Sequence, residues 1–209
     1  FQQSLVEPCM FIQVNLILLV FVDDCVVICP EQAPIMHFIE CMKVNYVLND
    51  EGDISAYLGI QVKCKQTCNG PEYHLTQPAL IYRIIETISL KDERLRHDMP
   101  ANKILYKGGK HRKTDFHYRS AIGQLNYLCG STRPELQVAV HQCARFSADP
   151  KLSHEQAVKR IVRFLKRTKD RGMILKPDKT RGLECHVDAD FAGGFSPQYS
   201  EDASACLSR

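Results

Sequence analysis

Two adjacent aspartates, Asp23 and Asp24, stand between two apolar runs, and no other feature of the chain restricts its folding as much. Leu16-Ile17-Leu18-Leu19-Val20-Phe21-Val22 precedes them and Cys25-Val26-Val27-Ile28-Cys29 follows. Both runs are short and rich in β-branched residues, so they predict buried strands paired as a hairpin with the acids at its tip. Carboxylates at such a junction are costly to desolvate unless they turn toward water or a cation. Asp is also a favoured turn residue, so a hairpin tip that happens to be acidic satisfies the pattern as well. The chemical alternative is a divalent-metal site, because hard oxygen ligands on a rigid scaffold are what two-metal phosphoryl chemistry needs.

The 209 residues suffice for one large domain or two small ones with a real core. At 44% hydrophobic and 24% charged residues the composition is that of a globular chain and excludes a disordered one. A net charge of +3 says little about partners, which local clustering must decide. The ten cysteines lie mostly inside apolar segments and none forms a Cys-x-x-Cys pair. They read as reduced, buried, small hydrophobes of an intracellular protein, and zinc is disfavoured because no His pair stands nearby. There is no signal peptide, and the apolar run before Asp23 is far shorter than the roughly 18 residues of a membrane span. Phe1 is not an initiator Met and the chain stops inside a polar stretch, so a piece of something longer is expected.

Taken in order, residues 10–14 and 16–22 pair across Asn15, and 25–29 returns antiparallel beyond the acidic turn. Ile35, Phe38, Ile39, Met42 and Tyr46 have helical spacing over residues 33–48, with Pro34 tolerable in the first turn. Tyr57 to Val62 starts a strand, Cys68-Asn69-Gly70-Pro71 turns it, and Glu72 to Leu75 returns. Pro78 opens a helix whose apolar stripe is Ile81, Ile84, Ile85 and Ile88. Residues 101–117 are polar, carry Gly108-Gly109 and a basic cluster, and predict a linker or mobile loop at a domain boundary. Three helices then follow, from Tyr118 to Cys129, Glu135 to Phe146, and about Ser153 to Thr168.

In the third of these helices Val158, Ile161, Val162 and Leu165 share one face, while Arg160, Arg163 and Arg167 fall on the opposite one. From Lys151 to Arg171 there are eight Lys or Arg against only Glu155 and Asp170. An ordinary solvated face explains many such runs. A one-signed ridge, however, lacks the i,i+4 acid–base pairing of a merely soluble helix, and contact with phosphates would explain the missing acids. Finally, Leu183 to Asp190 is strand-like and would put Asp188 and Asp190 on one face, as a metal site or as a polar edge.

These segments together resemble the reverse transcriptase region of copia-type long-terminal-repeat retrotransposons. Phe21-Val22-Asp23-Asp24 is similar to that family's Tyr-Val-Asp-Asp box, and Tyr57-Leu58-Gly59-Ile60 to its Phe-Leu-Gly-Ile element. Leu75-Thr76-Gln77 resembles Leu-Ser-Gln, and Met99-Pro100 has the spacing of the family's Pro-containing linker. Tyr118 to Leu128 is similar to Tyr-Arg-Ser-x-x-Gly-x-Leu-x-Tyr-Leu, and Thr132-Arg133-Pro134-Glu135 to Thr-Arg-Pro-Asp. His154 with Arg163 to Thr168 resembles the family's His and Arg-Tyr-Leu-Lys-Gly-Thr, and Val187 to Gly193 resembles the start of its ribonuclease H domain. The boxes run through nearly the whole chain in the family's order.

The resemblance implies an α+β chain in three parts. Residues 1–100 would be a partial polymerase palm of antiparallel hairpins with helices, 101–182 a mostly helical thumb/connection, and 183–209 a truncated ribonuclease H-like start. It implies an RNA-directed DNA polymerase working by two-metal nucleotidyl transfer with Mg²⁺ or Mn²⁺. Asp23 would be the main metal ligand with Asp24 beside it, Leu58 and Gly59 the primer grip, and Arg160, Arg163 and Arg167 the contacts to nucleic acid. Asp188 would be the remnant of a ribonuclease H metal site. Implied partners are RNA or DNA template–primer, deoxynucleoside triphosphates and the rest of a polyprotein, in a cytoplasmic particle or the nucleus and without a membrane. The family's upstream palm aspartate and its triphosphate-binding fingers have no counterpart in this chain, so inactivity of these residues alone is expected. The competing reading is a non-catalytic nucleic-acid-binding module built on the helical region.

Overall fold

The computed structural model describes residues 1–68, 70–88, 99–114, 116–178 and 180. Phe1–Lys176 forms one compact unit and Pro177–Arg209 another. The strand expected over 183–190, with Asp188 and Asp190, lies outside the described residues. Within them the chain is a mixed α+β structure of five helices and two four-stranded antiparallel sheets.

The first sheet is β1 (Gln2–Gln3), β2 (Met10–Gln13), β3 (Leu16–Phe21) and β4 (Asp24–Ile28), in that spatial order. Gln13 pairs with Leu16 across Val14-Asn15, and Phe21 pairs with Asp24 across Val22-Asp23. The hairpins are those the apolar runs predict, but their strands are less buried than expected. Leu16 alone in this sheet is buried, and Ile12, Phe21 and Ile28 stay exposed. Burying a sheet takes a packed layer against it, and the chain's buried hydrophobic residues are concentrated in the later helices instead. Helix α1 (Gln32–Lys43) follows, with no buried residue. It ends before Tyr46, where the Asn45 and Tyr46 amides both donate to the Met42 carbonyl and close the last turn.

The second sheet joins β5 (Ala56–Tyr57), β6 (Ile60–Thr67) and β7 (Gly70–Thr76). Tyr57 pairs with Ile60, so Leu58-Gly59 is a hairpin turn and not the middle of the strand expected from Tyr57 onward. Both residues have positive φ, at 50° and 74°. That pair of conformations is the type I′ turn, whose twist matches antiparallel strands.

The core lies in α2 (Pro78–Ile88), α3 (Tyr118–Ser131), a single 3-10 turn (Pro134–Leu136), α4 (Gln137–Ala144) and α5 (Leu152–Arg167). Ile81, Ile84, Leu125, Leu128, Leu136, Val140, Val158, Ile161 and Leu165 pack there with almost no exposed surface. After α5 the chain returns as β8 (Met173–Leu175) against β7, an element the sequence pattern did not suggest. Gly172 permits the approach, since a Cβ there would lie 2.0 Å from the Leu75 carbonyl oxygen.

Two buried polar groups tie these helices together. At one end, Thr132 donates to the Gln77 side-chain oxygen at 2.9 Å, linking the start of α2 to the end of α3. Arg133, fully buried, donates to the Thr168 carbonyl at 3.0 Å and hydroxyl at 2.7 Å, and to Glu135 at 2.6 Å. At the other end, the N-terminal turn of α5 holds the polar segment expected to be a mobile linker. The buried Glu155 carboxylate accepts from the Lys113 and Thr114 amides and from Lys159. Burial pushes this carboxyl up, but those hydrogen bonds outweigh it and hold it below its ordinary range. Lys110 accepts from the Leu152 amide, and Leu105 enters the core. The segment is therefore fastened to the helical unit, because its backbone polar groups find partners on α5.

His154 completes that attachment. Its Nδ1 accepts from the Lys151 amide at 2.9 Å, its Nε2–H donates to the Tyr106 carbonyl at 2.9 Å, and Phe146 stacks on the ring. Burial is the main cause that lowers its pKa from 6.5. The folded state therefore binds its proton less readily than the unfolded chain. The resulting stabilisation is complete above pH 6.5 and is lost as pH falls from there through the lower folded value. Denaturant midpoints between pH 7.5 and 5 should fall more for the native chain than for His154→Gln; equal slopes would contradict this neutral, doubly bonded imidazole. Arg133→Met should cost about 2–3 kcal/mol in equilibrium unfolding, by stranding the Thr168 groups and a tightly packed site. Glu135→Gln, at a half-exposed partner, should cost under about 1 kcal/mol.

Candidate functional site

Asp23 occupies the second position of the β3–β4 turn and Asp24 opens β4, and both side chains are exposed. Neither makes a side-chain hydrogen bond or ion pair among the described residues. The turn itself is unusual, because Val22 has a φ of 56°. A β-branched residue in that region is a true outlier, with a penalty of roughly 1–2 kcal/mol that a glycine would avoid. The strain sits on the residue immediately before the acids.

The Leu58-Gly59 turn lies beside this tip. Burial and then the neighbouring Asp24 carboxylate push the Tyr57 phenol above its ordinary value, with smaller contributions from Cys25 and Cys9. The sheets thus bring Asp24 and the residue before Leu58 within electrostatic reach of each other. Helix α3 fixes this second turn, as the Tyr127 hydroxyl donates a short hydrogen bond to the Leu58 carbonyl. Leu58, like Val22, is a branched residue held at positive φ.

The three arginines of α5 lie on the side away from its apolar stripe but are not equally exposed. Arg160 and Arg163 are half-buried and Arg167 is exposed. Arg160 Nε donates to the Met99 carbonyl at 3.1 Å. Arg160 and Arg163 both line a cavity of about 310 Å³ against α4 and residues 100–105. No cluster of three or more His, Cys, Asp or Glu able to hold a metal occurs among the described residues. Asp23 and Asp24 are thus suitable metal ligands in kind, being hard and exposed, but few in number.

Residues 1–100 match the reverse transcriptase (RNA-dependent DNA polymerase) family. They belong to that family. The chain beyond them is related as well, to the Pol polyproteins of copia-type retrotransposons. It is 29% identical over 178 residues to the retrovirus-related Pol polyprotein from transposon RE1 of Arabidopsis thaliana, covering 84% of this chain and 12% of that one. The corresponding polyprotein from transposon TNT 1-94 of Nicotiana tabacum is 27% identical over 196 residues, covering 88% and 14%. A secreted RxLR effector protein 161 of Plasmopara viticola is 41% identical over 83 residues, covering 40% of this chain and 58% of its own. The chain thus spans only about an eighth of the polyproteins it resembles. No solved structure gives a significant match.

In this reverse transcriptase segment sequence reasoning named the acids and the Leu58-Gly59 pair but missed Tyr127, which steadies the second turn. No sequence signal pointed to it, because Tyr127 is exposed and its hydroxyl could equally have been met by water. It also missed Lys103, which shares the cavity with Arg160 and Arg163 from a distant part of the chain. Val22→Gly should raise stability by about 0.5–1 kcal/mol, the strain released less the extra chain entropy of glycine. Chemical denaturation measures this, and an unchanged or lower unfolding free energy would show that the turn carries no strain.

Proposed function

We propose that the chain is part of the RNA-directed DNA polymerase of a retrotransposon polyprotein, with Asp23 and Asp24 as carboxylates of its metal site. The observation that carries this reading is the pair of exposed acids on a strained hairpin tip, without a hydrogen-bond or ion-pair partner among the described residues and within electrostatic reach of Tyr57, which precedes the Leu58-Gly59 turn. Residues to about 100 are read as palm, 101–182 as thumb/connection, and 183–209 as the start of a ribonuclease H-like domain. Divalent magnesium suits two exposed carboxylates, because it usually keeps several waters and uses one or two such ligands together with substrate phosphates. When bound, the metal lowers the pKa of a primer hydroxyl and offsets triphosphate charge.

This chain's own residues supply position. The strands hold the acids at the tip, Gly59 lets a primer backbone approach where a side chain would collide, and Tyr127 keeps that turn in place. Template–primer, deoxynucleoside triphosphates and the rest of the polyprotein are the partners this reading requires. With two acids only, the metal should be held weakly and the 209 residues alone should not polymerise.

Primer extension on a poly-rA template with Mg²⁺ or Mn²⁺ tests both parts. The chain alone should incorporate no more than its Asp23→Asn variant, and clear incorporation above that control would refute inactivity. Adding a fingers–palm piece that bears the upstream aspartate should give metal-dependent incorporation that Asp23→Asn abolishes. Incorporation unaffected by that substitution would remove Asp23 from the chemistry.

A further inference from the structure

We propose that the cavity between α4, α5 and residues 100–105 is a binding pocket for the phosphate of a single nucleotide unit. Among the described residues its charged lining is Lys103, Arg160 and Arg163, with no acidic side chain. Three cations facing one concavity repel one another, and concave walls concentrate their field on whatever enters. Elsewhere on α5 the arrangement is different: Lys159 is paired with Glu155 at 2.6 Å. Among the described residues no carboxylate pairs with Arg160 or Arg163.

The two arginines are prepared rather than loose. Arg160 is tethered through its Nε–H to the Met99 carbonyl. Arg163 has a buried Nε with no hydrogen-bond partner among the described residues. A guanidinium cannot shed its proton to escape such a site, so an orphaned N–H calls for an acceptor from outside. Phosphate is the anion whose oxygens suit guanidinium forks. Ala157 and Ile161 give the cavity an apolar wall, and Gln142 and Gln156 add amide donors and acceptors. A volume of about 310 Å³ is at the small end of pockets for small organic ligands. Cations, an apolar wall and amides in that volume suit a phosphorylated sugar and base more than a bare ion.

The pocket rests on the reading of α5 as the nucleic-acid-facing helix only for the source of the phosphate, which is either a strand or a free nucleotide. It does not depend on Asp23 or Asp24. Titration calorimetry on the full chain in chelator and at fixed ionic strength, with a deoxynucleoside monophosphate and with inorganic phosphate, tests it. Saturable binding of the nucleotide is expected, with inorganic phosphate competing. Arg163→Gln and the exposed Lys103→Gln should each weaken it at least tenfold, while Lys43→Gln on α1 and Asp23→Asn leave it unchanged. A short oligonucleotide that displaces the nucleotide would identify a strand as the source, and failure to displace would identify a free nucleotide. Absence of saturable binding, or a loss in Lys43→Gln equal to that in Arg163→Gln, would overturn the pocket. Because Asp23→Asn is retained as a control, failure of the polymerase reading and failure of the pocket are read separately.

Discussion

The helical unit depends on Arg133, a fully buried cation whose hydrogen bonds join the end of α3 to the end of α5. Taking a guanidinium out of water is expensive, and an ion pair alone does not offset that penalty. Here the two terminal nitrogens each donate one hydrogen bond, to the Thr168 carbonyl and to its hydroxyl, and the ring of Phe164 lies 5.8 Å from the guanidinium carbon. Thr132, the preceding residue, meanwhile engages Gln77 at the start of α2. Three helix ends therefore converge on two consecutive residues. This fixes how the core helices can slide, which apolar packing alone specifies poorly.

A second constraint runs from the helices to the sheets. α3 is placed by the Arg133 and Thr132 contacts at its end, and its Tyr127 holds the Leu58 carbonyl. Leu58 and Val22 are both kept at positive φ, a conformation their side chains oppose. Strained residues persist where the surroundings over-determine them, and they gather where a turn has to present something in a set direction. Asp24, just after one strained turn, and Tyr57, just before the other, lie within electrostatic reach of each other.

How much of this could be read from the residues varies with the physics that decides each part. The first hairpins were legible because Leu16 to Val22 and Cys25 to Cys29 are apolar on both sides of a turn-forming pair, a purely local signal. The stripe Ile81, Ile84, Ile88 was legible for the same reason, and those side chains are buried. The Leu58-Gly59 turn was not, since leucine is a poor turn residue and its partner Tyr127 lies 69 positions away. β8 escaped notice because three residues carry too short a period, and its place depends on the missing Cβ of Gly172. The 101–117 segment looked like a linker by composition. Its anchor, Glu155, sits on a helix whose acids seemed few and incidental, yet this one is buried and accepts two of the segment's amides. The α5 arginines were placed on one face by a helical wheel, but a wheel does not know what packs against the helix. The chain around Met99 covers Arg160 and turns part of that face into a cavity wall.

This difference separates two kinds of resemblance to the retrotransposon polyproteins. Gln77, Tyr127, Thr132, Arg133, His154 and Thr168 all lie in segments similar to that family, and each is occupied by a hydrogen bond within the fold. Their presence is accounted for by folding alone and says that the helices pack in a common way. Asp23 and Asp24 suit a turn, but their carboxylates have no such employment: they are exposed, make no hydrogen bond or ion pair among the described residues, and stand on a turn that would be more stable with another residue at Val22. The hairpin needs turn-forming residues there, yet it does not use either carboxylate. The same holds for Arg163, whose buried Nε finds no acceptor among the described residues. Side chains that stability leaves unexplained are where an external ligand has the most to supply, an acid pair calling for a cation and an orphaned guanidinium for an anion. The proposed polymerase reading calls for both, and the two lie on separate elements: one on a sheet tip, the other in a wall of the helical unit.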